Sequence, residues 1–160
     1  MWPLGSDVKM PEPRVNVTPH EIAQVVAAFY GRVRQHPVLG PIFFSILSRD
    51  ASIWREHEDK ITEFWCNALL YKGNYSGNPM IVHIGLKALQ PQHFAIWLGL
   101  FDLTLTHVLG EKEAQDWSQL AHRIGRGLRL GVEASRRRVD APPNLRLYCL
   151  LYTSPSPRDS

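Results

Sequence analysis

Apolar residues recur at spacings of three and four along most of the chain, and four stretches carry the pattern strongly enough to predict α-helices. The first holds Ile22, Val25, Val26, Phe29, Tyr30 and Val33. It opens at Thr18-Pro19-His20-Glu21, where Thr18 can cap, Pro19 suits the first helical position and Glu21 falls at the capping-box site. It ends near Gln35-His36, because Pro37 disfavours helix in its neighbour. The second stripe, Trp54, His57, Ile61, Phe64, Trp65 and Leu69, predicts a helix from about Ala51 to Leu70, capped by Ser48 or Asp50. The third, Phe94, Trp97, Leu98, Phe101, Leu105 and Val108, is opened by Gln90-Pro91 and stopped by Gly110 after about Leu109. The fourth runs from Glu111 to about Arg136 with Ala114, Trp117, Leu120, Ala121, Ile124 and Leu128 inward. No run alternates as a strand would, and no internal repeat is visible. The expected fold class is all-α.

The segments between these helices hold the unusual residues. Leu39-Gly40-Pro41-Ile42-Phe43-Phe44 is expected to turn the chain and to present two aromatics to something flat. Tyr71-Lys72-Gly73-Asn74-Tyr75-Ser76-Gly77-Asn78-Pro79 is too rich in turn formers to be helical. The apolar stretch Met80-Ile81-Val82-His83-Ile84-Gly85-Leu86 follows, and no helix pattern explains its histidine. By default such a histidine is a core residue bonded to a backbone carbonyl. A histidine held between two aromatic-rich helices is also what a haem iron needs, a single neutral nitrogen donor beside a flat apolar disc. Periodicity alone leaves both readings open. His93, next to Phe94, is the rival ligand and reads as a near-surface residue; His20, His36, His107 and His122 read as surface. Tyr30 has the only hydroxyl on its stripe, and is either a core tyrosine with a wet tip or a donor pointed into a pocket. Phe64, Trp65 and Trp97 are packing residues by default.

Composition narrows the function classes. A chain of 160 residues with 44% hydrophobic and 21% charged residues suits one globular domain. Its five Trp, five Tyr and six Phe fall mostly between Phe29 and Trp117, which predicts an aromatic interior. Two cysteines, Cys66 and Cys149, make no disulfide framework, so a reducing compartment is expected. The net charge of +3 owes much to Arg136-Arg137-Arg138, read as a solvated helix end rather than a nucleic-acid surface. No apolar run is long enough to span a membrane and the first residues lack the regions of a signal peptide. A cytoplasmic protein that binds neither nucleic acid nor membrane is expected. Residues 1–17, Pro-rich and unpatterned, are expected to be disordered or loosely packed, and Met10 is a second candidate start. Residues 18–140 form the domain. Residues 141–160, with the string from Leu147 to Ser160, resemble translated sequencing-adaptor read-through and are set aside from the fold.

Taken together, Phe29-Tyr30, Leu39-Gly40-Pro41-Ile42-Phe43, Trp54-Arg55-Glu56-His57, Phe64-Trp65, Tyr75-Ser76-Gly77, His83 and His93-Phe94-Ala95-Ile96-Trp97-Leu98 resemble a truncated haemoglobin of group III. The resemblance covers about residues 18 to 132, and many positions agree in order and spacing. It implies a small two-over-two helical sandwich with haem b (iron protoporphyrin IX) between the second long helix and the His83 segment. It makes His83 the iron ligand, Tyr30, His57 and Trp97 the distal residues, and Phe43, Ile61, Phe64 and Trp65 haem-packing residues. Met80 and Leu86, on the stretch that carries His83, complete the expected haem contacts. Leu86-Lys87-Ala88-Leu89 departs from the family, which often has a more Pro-rich link here.

The implied chemistry follows from the side chains. A tyrosine hydroxyl and an indole N–H in a dry pocket donate to a diatomic ligand that acquires negative charge. That favours tight binding of O2, and of NO and CO at the same place, with redox or detoxifying turnover of O2, NO or peroxide rather than carriage. Such turnover would be dioxygenase- or peroxidase-like and needs a reductase partner that the sequence does not identify. His57 is a further donor, a gate, or an iron ligand in the empty state. The alternatives are a haem-based sensor or storage protein, and a haem-free helical interaction domain that would purify colourless.

Overall fold

The computed structural model describes residues 12–73 and 75–137, without the side chains of Met80, Ile81 and Ile84. Among them are six helices: α1 (Pro19–Gln35), α2 (Leu39–Leu47), α3 (Ala51–Leu70), α4 (Pro79–Gly85), α5 (His93–Val108) and α6 (Glu111–Arg137). No strand occurs among the described residues.

α1 and α3 begin where local chemistry says they should. Thr18 accepts from the Glu21 amide while the Glu21 carboxylate accepts from the Thr18 amide, a complete capping box on α1. Asp50, rather than Ser48, caps α3 by accepting from the Ser52 amide at 2.9 Å. α5 starts two residues later than Pro91 suggests. Residues 91–92 form a turn in which His93 Nδ1 accepts from the Gln90 amide at 2.9 Å.

Two helices depart from the expected turn and loop. α2 forms because Pro41 stands in its first turn, where a missing amide hydrogen costs nothing. α4 carries His83, with Pro79 as its first residue and the Val82 amide bonded to the Asn78 carbonyl at 3.2 Å. The connection around His83 is therefore ordered by a two-turn helix and is not loop throughout. The segment expected to be loose is also packed at its end. Val15 and Val17 are buried in the core and the Arg14 amide donates to the Leu69 carbonyl at 2.8 Å. Residues 1–11 and the tail from 138 onward lie outside the described residues.

Packing pairs α1 with α3 and α5 with α6, and lays α1 across α5. Between the pairs runs one aromatic core. Trp65 stacks on Phe101 at 5.7 Å, Phe101 stacks on Trp97 at 5.0 Å, and the fully buried Trp117 meets both Trp65 and Phe101 edge-on. α4 is held chiefly against α6, where Leu86, Leu89, Phe94 and Val132 form a second small core. No described helix is long and apolar enough to cross a membrane.

Candidate functional site

The polar residues of interest sit on four helices whose apolar stripes turn them inward. Tyr30 follows Phe29 on the buried face of α1, His57 lies one turn below Trp54 on α3, Trp97 is on α5, and His83 is on α4. The Tyr30 and His57 rings meet edge to face at 5.0 Å, and Phe43 closes against them at 5.9 and 6.4 Å. Trp97 joins the group through Phe29, which touches Trp97 and Tyr30 at 4.9 Å each. Sequence reasoning had not given Phe29 this joining place.

These groups are short of partners. The Tyr30 side chain is 3% exposed, and its hydroxyl has no hydrogen-bond partner among the described residues. The same holds for the Trp97 indole N–H. His57 Nε2 is buried and unpaired. A buried polar atom left unmet costs about 1–3 kcal/mol, and among the described residues His57 Nε2 and the core Trp117 N–H are in that position, so the His57 nitrogen, beside the Tyr30 hydroxyl, points to something that meets it. Burial pushes the Tyr30 phenol well above its ordinary value, helped by the Glu58 charge. Burial also drops His57 to about 4, with further push from Lys60 and His83. Both are neutral near pH 7, when Tyr30 donates and His57 offers either role.

His83 differs in being oriented. Its Nδ1–H donates to the Pro79 carbonyl one turn earlier at 2.6 Å, which fixes the tautomer and leaves the Nε2 lone pair available. Burial lowers its pKa, which keeps that lone pair unprotonated, while the Pro79 bond works against the shift. The His83 ring lies 5.9 Å from Phe94. It is also close enough to His57 for a charge on one to be felt by the other, although they belong to differently packed helices. The rival His93 uses its Nδ1 on the Gln90 amide. Of the residues read as surface, His122 donates to Asp102 at 2.7 Å, His36 Nδ1 accepts from the Val38 and Leu39 amides, and His107 Nδ1 accepts from Arg32.

The remaining expected contacts spread over three places. Phe43 and the half-buried Ile61 lie with the Tyr30 group in the main core. Phe64 packs on Trp65 and Tyr75 at 5.0 and 5.2 Å, while Trp65 is enclosed by Phe101 and Trp117. Leu86 sits with Leu89 and Phe94 beside α6, and the Met80 side chain lies outside the described residues.

No family model matches the chain. Among curated proteins, the group 3 truncated hemoglobin Ctb of Campylobacter jejuni is 36% identical over 96 residues, 60% of this chain and 76% of that protein. The chain belongs to the group III truncated haemoglobins. A solved structure of a group III truncated hemoglobin from Campylobacter jejuni agrees with a TM-score of 0.71 at 32% identity, over 73% of this chain and 92% of that one. The truncated globin fold implied by the resemblance is thus the fold observed, and family membership implies haem-based binding of diatomic gases. The residues present fit that group. Such a group calls for one oriented neutral imidazole and for polar groups left to meet a ligand; His83 is so oriented, and among the described residues His57 Nε2 is buried without a partner.

Proposed function

We propose that this truncated haemoglobin binds haem b through His83 Nε2 and holds O2, NO or CO against Tyr30, His57 and Trp97. Its role in this reading is redox or detoxifying chemistry of O2, NO or peroxide, with electrons returned by a reductase. The carrying observation is the contrast between two neighbouring imidazoles. His83 is tied at Nδ1 with Nε2 to spare, whereas the Nε2 of His57 is buried with no partner among the described residues.

Haem supplies the iron that takes the ligand and changes oxidation state. The chain does the rest. The Pro79 carbonyl keeps His83 in the tautomer that offers a lone pair, and the bond to it makes that nitrogen more basic. The Tyr30 hydroxyl and the Trp97 N–H donate to a ligand that gathers negative charge, and the indole cannot act as acceptor. His57 switches between donating and accepting by tautomer. The Phe29, Phe43 and Trp54 rings around Tyr30 exclude water, so each donor acts in a low dielectric. Donors crowded in this way suit polarisation of an O–O bond better than rapid release.

An absorption spectrum of the chain purified with haem supplied, beside His83→Ala, tests the ligand. A Soret band that weakens or shifts in the variant is expected, and a wild type that takes up no haem sinks the reading. Oxygen release from Tyr30→Phe and Trp97→Phe tests the donors. Each lost hydrogen bond should speed release roughly tenfold or more. Unchanged rates in both would remove the distal assignment.

A further inference from the structure

Beside Trp54 the surface folds into a cleft of about 340 Å³ whose charge is strongly one-sided. Arg34 from α1, Arg49 from the α2–α3 link and Arg55 from α3 line it, with Glu58 as its one carboxylate. Arg34 donates to Glu58 at 2.6 Å. Neither Arg49 nor Arg55 has a carboxylate partner among the described residues. Two positive charges are therefore left over in one concavity.

The guanidinium groups are also preset. Arg34 lies over the Trp54 ring at 4.4 Å and Arg49 over the Phe44 ring at 4.1 Å. Such stacking holds the planar forks and lowers the entropy lost when they meet a ligand. The Trp54 ring is itself buried, at 2% exposure, and offers a ligand little to stack on. What remains on offer is N–H edges and excess positive charge. The neighbouring Asp50 carboxylate is turned to the Ser52 amide and hydroxyl at 2.9 and 2.8 Å and does not line the cleft.

We propose that this cleft is a binding site for a compact oxyanion of two negative charges, a phosphoryl group or a small dicarboxylate, which competes with Glu58 for Arg34. The site stands on its own geometry and does not depend on the haem reading. Glu58 acts there as a built-in competitor, so its neutralisation should strengthen binding.

Calorimetric titration of the full, haem-supplied chain with sodium phosphate, and separately with sodium succinate, tests it at constant ionic strength set with sodium chloride. One-to-one binding is expected, at least threefold tighter in Glu58→Gln and at least tenfold weaker in Arg49→Gln/Arg55→Gln. Both arginines are exposed, so the double variant keeps its fold, which circular dichroism verifies. Arg123→Gln, on the exposed face of α6, should bind as the wild type does. Phosphate binding without succinate binding identifies a phosphoryl group, succinate binding without phosphate binding a dicarboxylate, and binding of both a general oxyanion site. Absence of binding at millimolar concentration of either anion overturns the proposal. So does a Glu58→Gln variant that binds no tighter, or an Arg123→Gln variant weakened as much as the double variant.

Discussion

His57 shows how burial sets chemistry at one residue. Its pKa falls from an ordinary 6.5 to about 4, mainly because burial disfavours the charged ring. Between those values the unfolded chain binds a proton that the folded chain refuses. Stability of the haem-free protein is therefore full above 6.5 and falls as pH drops toward 4. His57→Phe should remove roughly 1–2 kcal/mol of the stability difference between pH 7 and pH 5, measured by urea denaturation. An unchanged difference would mean that His57 is hydrated and ordinary. His83 was legible as an odd histidine because its sequence context explained it so poorly. The group that orients it was not legible. The Pro79 carbonyl is backbone, and it becomes the acceptor only once residues 79–85 are known to be helical.

At the scale of elements, the four long stripes were readable because each spans several turns and carries its own start or stop signal. α2 and α4 were not. Two turns cannot establish a period of 3.6, and Gly40-Pro41 imitates a turn. The signals that were present, Asn78 before Pro79 and Pro41 in a first turn, are helix starts as much as loop formers. Gly40 has a different reason to be there. α1 and α2 approach so closely that a Cβ on it would stand 2.9 Å from the Arg34 carbonyl oxygen and 3.2 Å from that of Val33. Backbone cannot step aside, so Gly40→Ala should cost roughly 1–3 kcal/mol in thermal or urea unfolding. Gly31→Ala, with nothing within 4 Å of its Cβ, should stabilise α1 by up to about 1 kcal/mol. Equal effects at the two glycines would contradict this reading of the α1–α2 corner.

Over the whole molecule, the helix carrying His83 depends on a residue fifty positions further on. Arg136, in the last turn of α6, donates to the Leu86 carbonyl at 2.9 Å and to Gln90 Oε1 at 3.4 Å. Arg136→Ala should raise amide hydrogen exchange over residues 79–89 by roughly tenfold and leave α1 unchanged, because the released segment is short and its own core is small. Uniform exchange in the two proteins would show that Leu89, Phe94 and Val132 suffice. The sequence read Arg136 only as part of a charged helix end.

That long reach also orders events during synthesis. The caps, stripes and corner of α1 to α3 involve residues made early, and can settle as they leave the ribosome. The arginine that clasps the Leu86 carbonyl is made long after them, in the last turn of α6. Until it arrives the His83 helix has only part of its support, so a chain cut short within the final turn of α6 would carry every side chain proposed to touch haem and still lack a firm seat for it.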